Sequence, residues 1–192
     1  MDDFASTRLV TDRLRIASAR LEDAAALATY YGKNRAHLAP WEPTRAPEAV
    51  TEEYWRRRLA QYDEDHRRGA ALHLLMRRSE TPTGPVVGTI DLSQIARGPF
   101  QACYLGFGLD EEMVGQSLMF EALRVTLNFA FSQVALHRIM ANHLPENLRS
   151  GRLLRRLGFA AEGYARDYLF INGEWRDHVL TAFTNPNPTL PH

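Results

Sequence analysis

The stretch Val114 to Phe120 carries the strongest chemical signal in the chain. It joins a glycine-punctuated strand (Tyr104, Phe107 and Leu109 among glycines) to a helix whose apolar positions Leu118, Ala122, Val125 and Phe129 fall four, three and four residues apart, the period of a buried helical face. At such a junction the first helical N–H groups lack partners and the helix dipole favours negative charge, so the loop is a candidate anion site, and a pyrophosphate is the anion expected there. Other reactive side chains give weaker signals. Glu42, Asp91, Glu162, Asp167 and Asp177 are all possible general bases, and spacing does not separate them. The seven histidines show no metal-ligand spacing: His137 and His143 lie six residues apart in strand and loop, and no metal is expected. Cys103, the only cysteine, sits in an apolar strand and reads as a buried, inert thiol.

The elements that must hold these residues follow from periodicity. Arg8 to Ser18 alternates as a strand, Leu21 to Tyr31 is an Ala-rich helix, and Leu38-Ala-Pro-Trp-Glu-Pro43 is a loop whose prolines exclude regular structure and fix Trp41. Thr51 opens a helix with Trp55, Leu59, Tyr62 and His66 on one face, and Gly69 ends it. Strands are expected over 71–76, 86–95 and 101–109, then a helix over 117–133 and a short strand over 136–141. The helix Asn147 to Leu157 is closed by Gly158, and strands over 160–164, 168–171 and 178–183 finish the chain. Asn172-Gly173 is a hairpin turn, since both residues accept positive φ.

The chain has 192 residues, enough for one well-filled core, and an apolar share of 45%. Its 23 basic and 23 acidic residues cancel, which argues against a broad nucleic-acid binder. The Met-Asp-Asp-Phe start lacks the pattern of a signal peptide, and no segment approaches the roughly 18 apolar residues of a membrane span. A cytoplasmic protein is expected. The fold class is α/β (α+β): a single domain over 1–185 with a mixed, mostly antiparallel sheet flanked by helices, and a frayed tail over 186–192.

The order of these elements resembles the GNAT family of acyl-CoA-dependent N-acetyltransferases, and most closely its RimJ/RimL branch, RimJ-type enzymes in particular. The resemblance rests on Thr11-Asp-Arg-Leu14, Trp41-Glu-Pro43, Ala102-Cys-Tyr-Leu-Gly-Phe107 and Leu118-Met-Phe-Glu-Ala-Leu123. His137-Arg-Ile-Met-Ala-Asn142, Asn147-Leu-Arg-Ser150, Leu157-Gly-Phe159, Glu162 to Tyr168 and Asn172 to Asp177 continue it in order. It implies acetyl-CoA as co-substrate and a protein or peptide N-terminus as acceptor, an alanine on a small-subunit ribosomal protein. Backbone groups of Phe107, Gly108 and Leu109 would pair with the pantetheine arm. Gly115, Gln116, Ser117, Leu118, Met119 and Phe120 would hold the pyrophosphate, and Asn147 would contact the cofactor. Ser150 would protonate or hydrogen-bond the departing sulfur, because the tyrosine many family members place seven residues after the asparagine is Leu154 here. Asn147 and Ser150 also fit a helix cap. Trp41 and Glu42 are the acceptor-side candidates, an aromatic wall and a carboxylate for a protonated amine.

The family loop reads Gln/Arg-x-x-Gly-x-Gly/Ala, with Val114, Ser117 and Met119 departing from it here. A Cβ at Ser117 would crowd the phosphate or require strain, and Val114 suits the loop poorly if positive φ is needed there. Weakened or adjusted CoA binding is therefore expected. Two other functions are open on the sequence: acetylation of a free small amine, or a non-catalytic CoA- or protein-binding module. Monomer and homodimer are equally compatible with it.

Overall fold

The computed structural model describes residues 6–187. An eight-stranded sheet runs through it in the order β1-β2-β3-β4-β5-β6-β8-β7. The strands are β1 (Arg8–Val10), β2 (Leu14–Ser18), β3 (Leu72–Arg78), β4 (Gly88–Ala96), β5 (Ala102–Leu109), β6 (Arg138–Met140), β7 (Ala160–Ile171) and β8 (Glu174–Thr184). Every neighbouring pair is antiparallel except β5 and β6.

Helices cover both faces. Against one face lie α4 (Leu118–Ser132) and α5 (Leu148–Leu157), where Leu118, Ala122, Leu123 and Leu127 meet Leu14, Ile16, Ile90, Cys103 and Leu105. Against the other lie α1 (Ala24–Lys33), the single turn α2 (Arg35–Leu38) and α3 (Glu52–Arg67), packed through Leu27, Tyr31, Trp55, Leu59 and Leu75. Tyr31 stacks on Trp55 at 4.7 Å between ring centroids, and the indole N–H donates to the Ala49 carbonyl at 2.7 Å. With its polar atom satisfied and its ring 1% exposed, Trp55 is the anchor of this layer; truncation to Ala should cost about 3–5 kcal/mol.

Alternation along β5 separates the two layers. Cys103, Leu105, Phe107 and Leu109 belong to the α4-side core. Towards its C-terminal end the intervening positions are Gly106 and Gly108, so this half of β5 offers no side-chain bulk to the opposite layer. Gly106 is exposed in mid-strand, with only the Asp91 Cβ near the place where its own Cβ would lie, at 3.9 Å. That gap is where the site forms.

Some expectations needed correction. Arg8 to Ser18 is two strands, not one: the Thr11 hydroxyl accepts the Leu14 N–H at 3.0 Å and the Thr11 N–H reaches the Leu14 carbonyl at 2.9 Å, reversing the chain. The loop at Leu38–Pro43 does hold regular structure, because Ala39–Trp41 forms a 3-10 turn with Pro40 in its first turn, where a missing N–H costs nothing. The two strands expected over 160–164 and 168–171 are one bulged strand, with Asp167 at φ 45 inside the irregularity. Asn172 (φ 48) and Gly173 (φ 88) form the expected hairpin turn, and Gly158 (φ 99) caps α5 in the left-handed region. Of the tail predicted to fray, residues 188–192 lie outside the described residues. Among the described residues no helix is long and apolar enough to cross a membrane.

Candidate active site

β5 and β6 pair only from Ala102 opposite Arg138 to Tyr104 opposite Met140. Beyond that they part, and the edge of Leu105–Leu109 facing away from β4 has no strand partner among the described residues. The opening is a cleft of about 950 Å³, lined by Leu105–Leu109 on one side and by 142–144 and 146–150 on the other. An extended chain laid against this edge would meet unpaired backbone groups, as an added strand does.

At one end of the cleft stands the N-terminus of α4. Gly115 has φ 84, and Ser117, the residue before the helix, has φ 59 and ψ 15. No side chain caps the terminus, so its first N–H groups are available to an anion. Ser117 is exposed, so its Cβ lies outside the packed part of the loop, and the left-handed conformation is already formed. Val114 has φ −67, an ordinary value for a β-branched residue; positive φ is not demanded there. The loop is held from behind. Arg13 donates to the Gln116 carbonyl at 3.0 Å and to Glu121 Oε2 at 2.7 Å, while the Thr11 hydroxyl closes on Glu121 Oε1. Burial alone would raise the Glu121 carboxyl; these Thr11 and Arg13 bonds outweigh it and hold it below its usual range. Arg149, Arg152 and Arg156 of α5 line the same cleft, with Arg156 lying over the Phe120 ring at 3.8 Å. Free N–H groups, positive charge and an open strand edge fit a pyrophosphate carrying an extended amide arm.

All the residues that the resemblance assigns to cofactor, acceptor or proton transfer line the cleft except Gln116, whose side chain turns back to the Glu112 carbonyl at 3.1 Å. Asn147 caps α5 by accepting the Ser150 N–H at 3.1 Å, as the helix-cap reading expects. The Ser150 hydroxyl has no hydrogen-bond partner among the described residues. Leu154 is 1% exposed and offers no acid.

The other end of the cleft is acidic and aromatic. Trp41 is 40% exposed and lines the mouth, so it does not plug the core. Arg45 donates to Glu42 Oε2 through Nε at 2.8 Å and Nη2 at 2.6 Å, and its guanidinium lies 3.9 Å above the Tyr31 ring. Burial raises the Glu42 carboxyl above its usual range; Arg45 opposes the rise and Asp91 adds to it. The Glu42 carbonyl accepts the Asn172 N–H at 3.3 Å, tying the β7–β8 hairpin to this wall. Of the carboxylates considered as bases, Glu42 and Asp91 line the cleft and the other three do not. Glu162 pairs with Arg138, and Asp177 accepts the Tyr164 hydroxyl and the Asp167 N–H. Cys103 is fully buried, and burial pushes its thiol up to about 12, so it is no nucleophile.

Sequence reasoning missed Arg45, Tyr31, Asn142 and His178, which also line the cleft. They lie far apart in the chain, and only folding brings them together. Tyr30 was missed too. Its hydroxyl is buried without a partner and lies 3.2 Å from where a Cβ on Gly108 would be, beside Thr89 Oγ1 and Glu42 Oε1. Among the described residues no group of His, Cys, Asp and Glu is arranged to hold a metal.

A helix terminus with free N–H groups beside a split sheet, opening onto a pocket lined by Glu42 and Asp91, fits an acyltransferase that takes its acyl group from a CoA thioester. Comparison with known proteins agrees. Residues 13–160 match the acetyltransferase (GNAT) domain. The ribosomal protein uS5-alanine N-acetyltransferase of Escherichia coli (strain K12) is 44% identical over 182 residues, 95% of this chain and 93% of that protein. The probable N-acetyltransferase YjcK of Bacillus subtilis (strain 168) is 36% identical over 155 residues, 81% of this chain and 84% of its own length. The crystal structure of the ribosomal-protein-S5-alanine acetyltransferase of Vibrio fischeri superposes with a TM-score of 0.91 at 37% identity, covering 96% of this chain and all of that one. Mycobacterium smegmatis RimJ in complex with CoA-disulfide gives a TM-score of 0.84 at 28% identity, over 91% and 85%. The chain belongs to the GNAT acetyltransferase family. It is an acyltransferase that depends on acetyl-CoA.

Proposed function

We propose that the protein moves an acetyl group from acetyl-CoA to the α-amine of a protein whose first residue is alanine, a ribosomal protein of the uS5 kind. The observation that carries this is the near full-length similarity to the uS5-alanine N-acetyltransferase of Escherichia coli. An open cleft supports it, with its acceptor mouth bordered by Trp41, Glu42 and the β7–β8 hairpin, where a chain terminus has room to enter.

In this proposal the free backbone edge at Phe107, Gly108 and Leu109 holds the pantetheine arm and one of its N–H groups polarises the thioester carbonyl. The pyrophosphate sits on the N–H groups of Gly115, Gln116, Ser117, Leu118, Met119 and Phe120, Gln116 contributing through its backbone alone. Asn147 caps α5 and contacts the cofactor from the same position. Glu42 attracts the acceptor ammonium, Trp41 walls it, and Ser150 delivers a proton to the departing sulfur.

The test is acetyl-CoA with two peptides. One begins with a free alanine and contains no lysine; the other has a blocked N-terminus and an internal lysine. Mass spectrometry should find one acetyl group on the first and none on the second. Acetylation of the lysine peptide alone, or of small free amines in preference to both, refutes the acceptor assignment.

A further inference from the structure

Asp91 lines the acceptor side of the cleft with His73 buried behind it, and the roles above leave both unused. Asp91 on β4 lies opposite Gly106 on β5 and opposite His73 on β3. The missing side chain at Gly106 opens the cleft directly beside Asp91. On its other side, His73 Nδ1 lies 2.6 Å from Asp91 Oδ1. His73 is fixed from three directions. Tyr62 stacks on its ring at 3.5 Å, its backbone N–H donates to His66 Nε2 at 3.0 Å, and Asp65 faces its Nε2 at 3.7 Å. The Nε2 atom is buried with no hydrogen-bond partner, whereas Asp91 keeps 35% of its side chain exposed to the cleft. With one oxygen held by a buried imidazole, Asp91 has its other oxygen free to meet an amine that enters the cleft.

We propose that Asp91 is the proton acceptor for the incoming amine and that His73 is its positioning residue. Glu42 is less suited. One of its oxygens is held by two Arg45 N–H groups, an ion pair that favours the carboxylate and suits attracting and orienting the ammonium better than taking its proton. The proposal rests on an amine entering over Gly106, as in the function above.

An α-amine has a pKa of about 7.7–8.0, so much of the acceptor arrives as ammonium without a lone pair. Asp91 takes one proton: an N–H bond breaks and an O–H bond forms, leaving a neutral amine beside a neutral carboxyl. The C–N bond then forms as the C–S bond breaks. The nitrogen's second proton passes through the Ser150 hydroxyl to sulfur, and Asp91 returns its own proton to water at the cleft mouth. One proton leaves per turnover, and the amide keeps the third. His73 moves no proton; its Nδ1–H holds Oδ1 so that Oδ2 faces the amine.

Four variants test the pair: Asp91→Asn, His73→Asn, His73→Leu and Asp91→Ala. Asparagine at 73 can place an amide N–H where Nδ1 was; leucine cannot. Asp91→Asn should lower kcat by roughly 100-fold, the usual worth of a general base, with acetyl-CoA affinity measured by calorimetry unchanged. His73→Leu should show the same split, and His73→Asn should stay within about threefold of wild type, as expected if a single donor does the positioning. Sodium formate added to Asp91→Ala should restore part of the lost rate, which decides the matter should the Asn variant fail to fold. Asp91→Asn within twofold of wild type, equal losses in the two His73 variants, or no rescue by formate would each overturn the proposal. Wild-type turnover of the alanine peptide tests the acceptor class; the ratio of variant to wild type tests the pair. If the peptide is not a substrate, the ratio is read on a small primary amine.

Discussion

Ser117→Gly isolates the one strained position in the cofactor loop. A left-handed conformation costs an L-residue about 1–2 kcal/mol, and Ser117 adopts it at φ 59 and ψ 15. Glycine removes that cost but loses about 0.5–1 kcal/mol of its own through a freer unfolded chain. The difference is a stabilisation of about 0.5–1 kcal/mol, which at about 2–4 °C per kcal/mol for a domain of this size is a rise in Tm of about 1–4 °C. Acetyl-CoA affinity should change little, because the loop conformation exists before the ligand arrives and the Arg13 contact to the Gln116 carbonyl is independent of residue 117. Calorimetry should therefore find micromolar or tighter binding to the native protein and a change of less than about threefold in the variant, under 0.7 kcal/mol. Differential scanning calorimetry measures the Tm. Binding by Ser117→Gly alone would refute the reasoning: the serine Cβ would then obstruct the phosphate, and the native protein would be a non-catalytic relative of its family.

Two further outcomes follow from packing and charge. Gly88→Ala places a Cβ 2.8 Å from the Gly108 carbonyl and 2.9 Å from the Met76 sulfur, so backbone must shift next to the cofactor edge. A loss of about 1–3 kcal/mol in urea unfolding is expected, with weaker acetyl-CoA binding, and an unchanged midpoint would contradict it. Glu121 is held below its usual carboxylate range, so its folded pKa is lower than its unfolded one. Its contribution to stability is therefore complete above the unfolded pKa, near 4.5, and is lost as pH falls through the depressed folded value. Glu121→Gln should lower Tm at neutral pH, with the gap from wild type closing as pH drops below about 4. A gap that widens in acid would reverse the sign of the argument.

The elements were legible wherever one face is buried and the other is wet. The α4 stripe and the Trp55 face of α3 show helical periods because each packs on one side of the sheet. The β7–β8 hairpin was harder to read because much of β7 is exposed on both faces, so no alternation marks its continuity across the bulge. The N-terminal strand hid its turn because the reversal depends on one threonine hydroxyl within an alternating pattern. The residues proposed for the cofactor from Phe107 to Phe120 run together in the chain, so sequence alone could place them on one strand, one loop and one helix start. The acceptor side comes from α1, β3, β4 and the 3-10 turn at Trp41, which only sheet register and helix packing bring together. His73 left one trace, a polar residue inside the apolar run Ala71-Leu-His-Leu-Leu-Met76.

The alternating glycines of β5 divide their duties in a way that bears on engineering. Gly108 is sterically committed, because Tyr30, Thr89 and Glu42 already surround the space its side chain would fill. Gly106 is not: apart from the Asp91 Cβ at 3.9 Å, its neighbourhood is empty. A small side chain there would leave the sheet intact and take up room only in the pocket. If the acceptor enters as proposed, position 106 is a dial on acceptor size that can be turned without touching the scaffold.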